Sequence, residues 1–259
     1  MGARVDYETH GKEYSRGRRA DPRIEARIHA ALGDAGTVLN VGAGTGSYEP
    51  RDRWVLAVEP SATMRAQRAP DAAPCLAGTA ESLPLDDDSV DAAMACVTIH
   101  HWQDRAGGLA ELRRVARGPV VVFTFELADL IGWQRDYFAA AVAIEQPRFG
   151  TVEQVAAELG GEVRVERIPT PADCVDGFFE AFWNRPEAML DPGVRASQSI
   201  WELIDDGEEA RIFDRLAADL ESGRWDEEHG ALRELDGYEG SLRLVVSEPL
   251  QGGSSTPGA

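Results

Sequence analysis

Two stretches of this chain carry residue types and spacings that can do chemistry. The first is Val38-Leu39-Asn40-Val41-Gly42-Ala43-Gly44-Thr45-Gly46-Ser47, in which an apolar run passes directly into G-x-G-x-G. Glycines at the end of a buried strand allow a tight turn and let a ligand approach where a Cβ would collide. Seventeen residues after Gly42, at the end of the next apolar run, stands Glu59 in Val58-Glu59-Pro60. A carboxylate there can accept both hydroxyls of a ribose across the switch point of a parallel sheet. Loop and acid together point to a nucleotide-containing cofactor. A dinucleotide fingerprint would read G-x-G-x-x-G. Here the third glycine falls one residue early and Ser47 takes its slot, which counts against NAD(P).

The second stretch is His100-His101-Trp102, which follows the apolar run Ala92–Val97. It lies at the carboxyl edge, where open α/β sheets bind ligands. A histidine there can take a proton from a hydroxyl or amine. Only one of two adjacent residues leaving a strand readily faces a pocket, so His101 is the first candidate and His100 the second; the alternative is that both merely shape the pocket. Trp102 joins them as a candidate substrate contact. In Phe178-Phe179-Glu180-Ala181-Phe182-Trp183, Phe179 and Trp183 are candidates for lining a substrate pocket, although the 179/183 spacing equally describes a helix packed on the core. His10, His29 and His229 have no companions that suggest a metal. Cys75, Cys96 and Cys174 lack C-x-x-C spacing, so neither a disulfide framework nor a zinc site is implied.

The elements that must position these residues are legible from periodicity. Asp21-Pro22 opens a helix with Ile24, Ile28 and Leu32 on one face. Apolar runs at Val38–Val41, Trp54–Val58, Cys75–Ala77, Ala92–Val97 and Val120–Phe125 alternate with helical patterns at 61–68 and 104–116. Strands apolar on both faces and separated by helices predict a doubly wound parallel sheet. The interval 46–53 is too short for a normal helix, so a loop is expected there. Thr151 and Gln154 form a capping box for a helix to Leu159, and alternating strands follow at Val163–Ile168 and Leu242–Val246. The boundaries that result are an N-terminal segment and helix over the cofactor site (1–36), a Rossmann-like core (37–169), a helical substrate cap inserted between the last two strands (170–238), the final core strand (239–250) and a disordered tail (251–259).

Composition narrows the function classes. Of 259 residues, 43% are hydrophobic and 27% charged, which suits a folded core without disulfides. The net charge of −19 is the wrong sign for gripping nucleic acid or an anionic membrane. With neither a long apolar run nor an apolar signal region, the expected location is the cytoplasm. Oligomeric state is not legible.

On these motifs the chain resembles the class I S-adenosylmethionine-dependent methyltransferases, and within them the small-molecule group similar to the ubiquinone/menaquinone C-methyltransferases. The resemblance rests on VLNVGAGTG (38–46), VEP (58–60), GTAESLPL (78–85), SVDAAMACVTIHHW (89–102) and ELRRVARGP (111–119), in order. It implies a seven-stranded α/β sheet with an antiparallel last strand, S-adenosylmethionine as cofactor, and a small-molecule methyl acceptor. By the same resemblance Gly42, Ala43, Gly44, Gly46 and Asn40 would cradle the methionine part, and Glu59, with Pro60, would hold the ribose. Met64, Ala80 and Glu81 would surround the adenine, Val97 and Thr98 would lie under the sulfonium, and Tyr14 and Arg18 would close over the cofactor. The family often has Asp where this chain has Asn40 and Thr79. The remaining alternatives are an NAD(P)-dependent oxidoreductase and an S-adenosylmethionine-binding protein without transfer activity.

Overall fold

The computed structural model describes Tyr7, Glu8, Gly11 and residues 17–250. Its centre is a seven-stranded sheet made of β1 (Thr37–Val41), β2 (Trp54–Val58), β3 (Cys75–Leu76), β4 (Ala92–Cys96), β5 (Val120–Phe125), β6 (Glu162–Arg167) and β7 (Leu242–Glu248). The spatial order is β3-β2-β1-β4-β5-β7-β6. Strands β1 to β5 pair in parallel, and β7 runs antiparallel between β5 and β6. The order reverses between β1 and β4, which places the site at the carboxyl ends of those two strands.

The continuous apolar runs follow from a sheet covered on both faces. In β5, Val121, Phe123 and Phe125 enter one core while Val120 and Val122 enter the other. On the second face pack α3 (Arg105–Val115) and α6 (Val152–Leu159). Thr151 and Gln154 complete the capping box that starts α6. The first face receives α1 (Pro22–Ala31), whose Ile24 and Ile28 are buried and whose N-cap Asp21 accepts from Arg23 N. The stretch between β1 and β2 contains no helix, in keeping with its length; it turns around buried Tyr48. After β2 the only helix before β3 is the short α2 (Ala62–Ala66).

A helical layer covers the first face near the site. Much of it is the excursion between β6 and β7, closed at its base by a two-residue antiparallel ribbon, Thr170–Pro171 with Gly237–Tyr238. The layer also takes in α4 (Gly132–Tyr137) and α5 (Ala139–Phe149), a stretch the sequence boundaries leave inside the core. Its interior is aromatic: Trp133, Phe138, Trp183 and Trp225 are fully buried. Among the described residues no helix is long and apolar enough to cross a membrane.

Glu180 ties this layer to the sheet. Its buried carboxylate accepts from Ser241 N at 3.0 and 2.9 Å and from Ser241 Oγ at 2.6 Å, at the start of β7. Burial pushes its pKa up from 4.5 to about 7, against the opposing pull of the Ser241 hydrogen bonds. The folded protein therefore binds more protons than the unfolded chain between those values, so this group makes stability fall as pH rises from about 4.5 to 7. Glu180→Gln should remove that part of the slope, and the Tm difference between pH 5 and pH 8 should shrink relative to wild type in scanning calorimetry. An unchanged difference would show that Glu180 carries no such linkage.

Candidate active site

At the carboxyl ends of β1, β2 and β4 lies a cavity of about 370 Å³, within the usual range of roughly 300–1,000 Å³ for small-ligand sites. Its floor is the glycine loop. Gly42 and Ala43 donate from their amides to Val58 O, and Gly46 N donates to Ala43 O, which folds the loop back over β2. Gly42 has φ +66°, and a Cβ there would stand 2.0 Å from Thr98 Oγ1, so only glycine lets the end of β4 close against the loop.

Glu59 is buried beside this loop. One carboxylate oxygen accepts from Gly44 N at 2.8 Å and the other from Ser61 N at 2.8 Å. Burial raises its pKa, and the two amide hydrogen bonds act against that rise. Ser61 in turn caps α2 by accepting from Met64 N. Behind the loop, Glu49 pairs with Arg68 at 2.7 Å, both nearly buried, and Arg68 also donates to Gly44 O at 3.3 Å. Asn40 Nδ2 donates to Glu49 Oε1 at 3.0 Å. Because a carboxylate only accepts, this contact fixes the Asn40 amide and turns its carbonyl oxygen away from Glu49.

The end of β4 forms the opposite wall. Val97 has φ +52°, a left-handed conformation that costs a β-branched residue about 1–3 kcal/mol. Thr98 and the turn Ile99–His101 follow. Glu81 Oε1 accepts from Gln103 N at 2.6 Å and Asp104 N at 3.2 Å. Burial would raise the Glu81 pKa, but these bonds and one from Thr79 outweigh it and the net shift is downward.

His101 is fixed from both sides. Arg148 Nη2 lies 3.2 Å from Nδ1, and Tyr7 Oη lies 2.8 Å from Nε2. A guanidinium has donors only, so Nδ1 must accept, the ring proton sits on Nε2, and Tyr7 oxygen receives it. Burial, then the charges of Arg148 and Arg18, push His101 down to about 3. With both nitrogens engaged and protonation opposed, His101 is poorly placed for the base role that its position in the sequence suggests. His100 is buried, stacked on Phe149 at 3.9 Å, and driven well below the usual histidine value by burial and by neighbouring His101.

A second cavity of about 90 Å³ adjoins the first. Phe125, Phe149, Phe178 and Phe179 supply much of its wall, with Glu145, His100 and Gln198 among the polar groups. Arg18, Val97 and His101 line both cavities and so mark where they meet. Arg18 forks onto Asp176 at 2.5 and 3.2 Å, and Asp176 also accepts from Tyr48 Oη at 2.7 Å. The guanidinium expected to close over the cofactor thus pairs with a carboxylate of the protein.

The first cavity gathers Arg18, Asn40, Gly42, Ala43, Gly44, Glu59, Pro60, Met64, Ala80, Glu81, Val97, Thr98, His101 and Trp102. Phe179 and His100 lie on the second. Gly46 lines neither: its α-carbon faces Glu49 and Arg68 behind the loop. Trp183 also lines neither. It is fully buried, donates from Nε1 to Thr170 O at 3.1 Å and stacks on Tyr238, so it is core and the expectation of substrate contact is corrected. Tyr14 lies outside the described residues. Sequence reasoning missed Phe125, Phe149, Glu145 and Arg148. The 145/148/149 spacing on one helical face was a usable signal, hidden by Pro147 inside α5.

Residues 39–122 match the methyltransferase domain family. Over those residues the chain is similar to a methyltransferase domain. Uncharacterised methyltransferases of Mycobacterium tuberculosis are 35% identical over 165 residues, covering 56% of this chain and 66% of the relative. The match therefore spans just under two thirds of these relatives' length. The malonyl-[acyl-carrier protein] O-methyltransferase of Erwinia pyrifoliae is 34% identical over 46% of this chain and 52% of its own. A solved structure from Anabaena variabilis, named as a methyltransferase from an antibiotic biosynthesis pathway, superposes on this chain with a TM-score of 0.82 at 29% identity, covering 89% of this chain and 98% of that one. These likenesses do not single out the quinone C-methyltransferases.

The Arg148 contact makes a direct prediction for His101. Nitrogen-15 spectra of histidine-labelled protein should show a neutral ring with the proton on Nε2 throughout pH 5–8. A ring that titrates near 6.5 would contradict the arrangement.

Proposed function

We propose that the protein moves a methyl group from S-adenosylmethionine to a compact small-molecule acceptor, with the cofactor in the larger cavity and the acceptor in the smaller. The observation that carries this reading is the junction of the two cavities at Arg18, Val97 and His101, at the carboxyl end of β4. A donor and an acceptor bound on either side of that junction would meet there.

The residues present suit this cofactor. The larger cavity combines a buried carboxylate, a left-handed glycine loop and apolar walls in about 370 Å³. In this reading Glu59 accepts the ribose hydroxyls, using the lone pairs beyond those that hold Gly44 and Ser61. Asn40 presents its carbonyl oxygen to the cofactor's ammonium group. Met64 and Ala80 flank the adenine, with Glu81 holding the turn beside it. Val97 and Thr98 lie next to the sulfonium. The cofactor, when bound, supplies an electrophilic methyl group on a positively charged sulfur. The protein's part is to align the nucleophile with that methyl group and keep water out; such alignment alone can contribute roughly 7–11 kcal/mol to lowering a bimolecular barrier. The helical layer, with Phe178 and Phe179 on the smaller cavity, forms the acceptor side.

Calorimetry tests the assignment of the ribose. Hydrogen bonds to a charged group contribute about 1.5–3 kcal/mol, so Glu59→Ala should weaken S-adenosylmethionine binding roughly 10- to 150-fold. Phe179→Ala should leave that affinity within about twofold, because Phe179 lies on the other cavity. A folded Glu59→Ala protein with undiminished affinity would reject the ribose role, and wild type that binds NAD but not S-adenosylmethionine would reject the proposed reaction.

A further inference from the structure

The smaller cavity contains a carboxylate that neither the fold nor the cofactor cradle uses. Glu145 lies on α5, and its side chain is 10% exposed. Oε1 accepts from Arg148 Nη1 at 2.7 Å, while Arg148 Nη2 reaches His101 Nδ1. Oε2 is buried and has no hydrogen-bond partner among the described residues. One guanidinium therefore fixes both neighbours: it commits His101 as a donor toward Tyr7 and leaves Glu145, which lines the cavity, with one unmatched oxygen. A buried polar atom without a partner costs free energy and calls for an explanation such as a catalytic role.

We propose that Glu145 is the proton acceptor of the transfer reaction, and that the methyl acceptor is a compact, uncharged, apolar molecule that presents a hydroxyl group to Glu145 Oε2. This rests on the reading of the two cavities given above. The hydroxyl oxygen forms a bond to the methyl carbon of the sulfonium donor. The methyl–sulfur bond breaks with its electron pair staying on sulfur, leaving a neutral thioether. The hydroxyl proton passes to the Glu145 carboxylate, so the products are a methyl ether, the thioether and a protonated Glu145 that later returns its proton to solvent.

The surroundings favour this carboxylate over the histidines. Burial lifts Glu145 to about 7, with Arg148 pulling the other way, which poises it as a base near neutral pH. Arg148 on its own helix contacts it, and the other titratable or charged groups on the same cavity are His100 and His101 from the turn after β4, Arg18 from the N-terminal stretch and Glu180 from the helical excursion. Both histidines are held neutral by burial and by these cations, so neither competes for the proton. Arg18 and Arg148 beside the cavity disfavour an ammonium acceptor, while Glu145 and the chain's charge of −19 disfavour a carboxylate. A volume of about 90 Å³ limits the end that meets the methyl group to a small one.

Phenol, titrated by NMR into the protein saturated with S-adenosylhomocysteine, tests the proposal. Its affinity should rise about fivefold to tenfold from pH 6 to pH 8 as Glu145 ionises, and Glu145→Gln, which keeps the contact to Arg148, should abolish that rise. In turnover read as S-adenosylhomocysteine formation, Glu145→Gln should slow phenol methylation about 10²- to 10⁴-fold. It should not slow 4-nitrophenol, which reaches the site already ionised at pH 8 and in the variant no longer meets a like charge. Glu145→Asp should retain the pH response with phenol, which guards against a fold defect in the glutamine variant. Three results would each overturn the proposal: the same phenol affinity and pH response in wild type and Glu145→Gln, no phenol binding at all, or benzylamine bound more tightly than phenol. S-adenosylmethionine affinity, measured in parallel, should be equal in wild type and Glu145→Gln. Wild type that fails to bind S-adenosylmethionine would instead remove the methyl-transfer reading on which the proposal stands.

Discussion

The geometry of the site depends on one buried carboxylate, Asp176. It accepts from Arg18, in the stretch before α1, and from Tyr48 Oη, in the loop after the glycines, while belonging itself to the excursion between β6 and β7. Three segments far apart in sequence converge on it, and the boundary between the two cavities runs past them. A buried pair of this kind adds little to stability in comparison with an apolar replacement, yet removing one partner costs about 3–5 kcal/mol because the other charge is left unmatched. Its contribution is therefore to position: it fixes how the N-terminal stretch and the helical layer meet the rigid edge of the sheet.

Around that junction the charged groups fall into two sets. On the larger cavity, Glu59 and Glu81 face backbone amides, and behind it Glu49 is matched by Arg68. Those carboxylates hold loops in shape. Beside the smaller cavity, Arg148 bridges His101 and Glu145 and sets which of their atoms accept its hydrogen bonds. The edge of the larger cavity is thus built from local contacts along neighbouring strand ends. The edge of the smaller one is built largely from contacts between elements that the chain brings together only when the whole domain has folded.

That difference explains what could be read from the sequence. The sheet was legible because buried parallel strands leave continuous apolar runs, and Trp54–Val58 and Val120–Phe125 match their strands residue for residue. The glycine loop and Glu59 were legible because strand, turn and acid lie within a single unit of the fold. By contrast, α4 and α5 carry no clean period, and Pro147 interrupts the second. Trp183 has the spacing of a pocket residue, but its neighbours Trp133, Thr170 and Tyr238 come from three other segments and make it core. His101 could be placed at the site, but its protonation is set by Arg148, 47 residues away. No local pattern encodes such a pairing.

The short ribbon of Thr170–Pro171 with Gly237–Tyr238 has a bearing on how such a domain diversifies. It fastens the two ends of the excursion together before the chain leaves the sheet, so the spacing of β6 and β7 does not depend on what lies between them. Doubling the length of a closed loop costs only about 0.6 kcal/mol in chain entropy. Changes of length above the ribbon that keep Asp176 in place need not disturb the register of β6 and β7. A lineage carrying this clasp is free to remodel the smaller cavity while the strand ends and the glycine loop below stay unaltered.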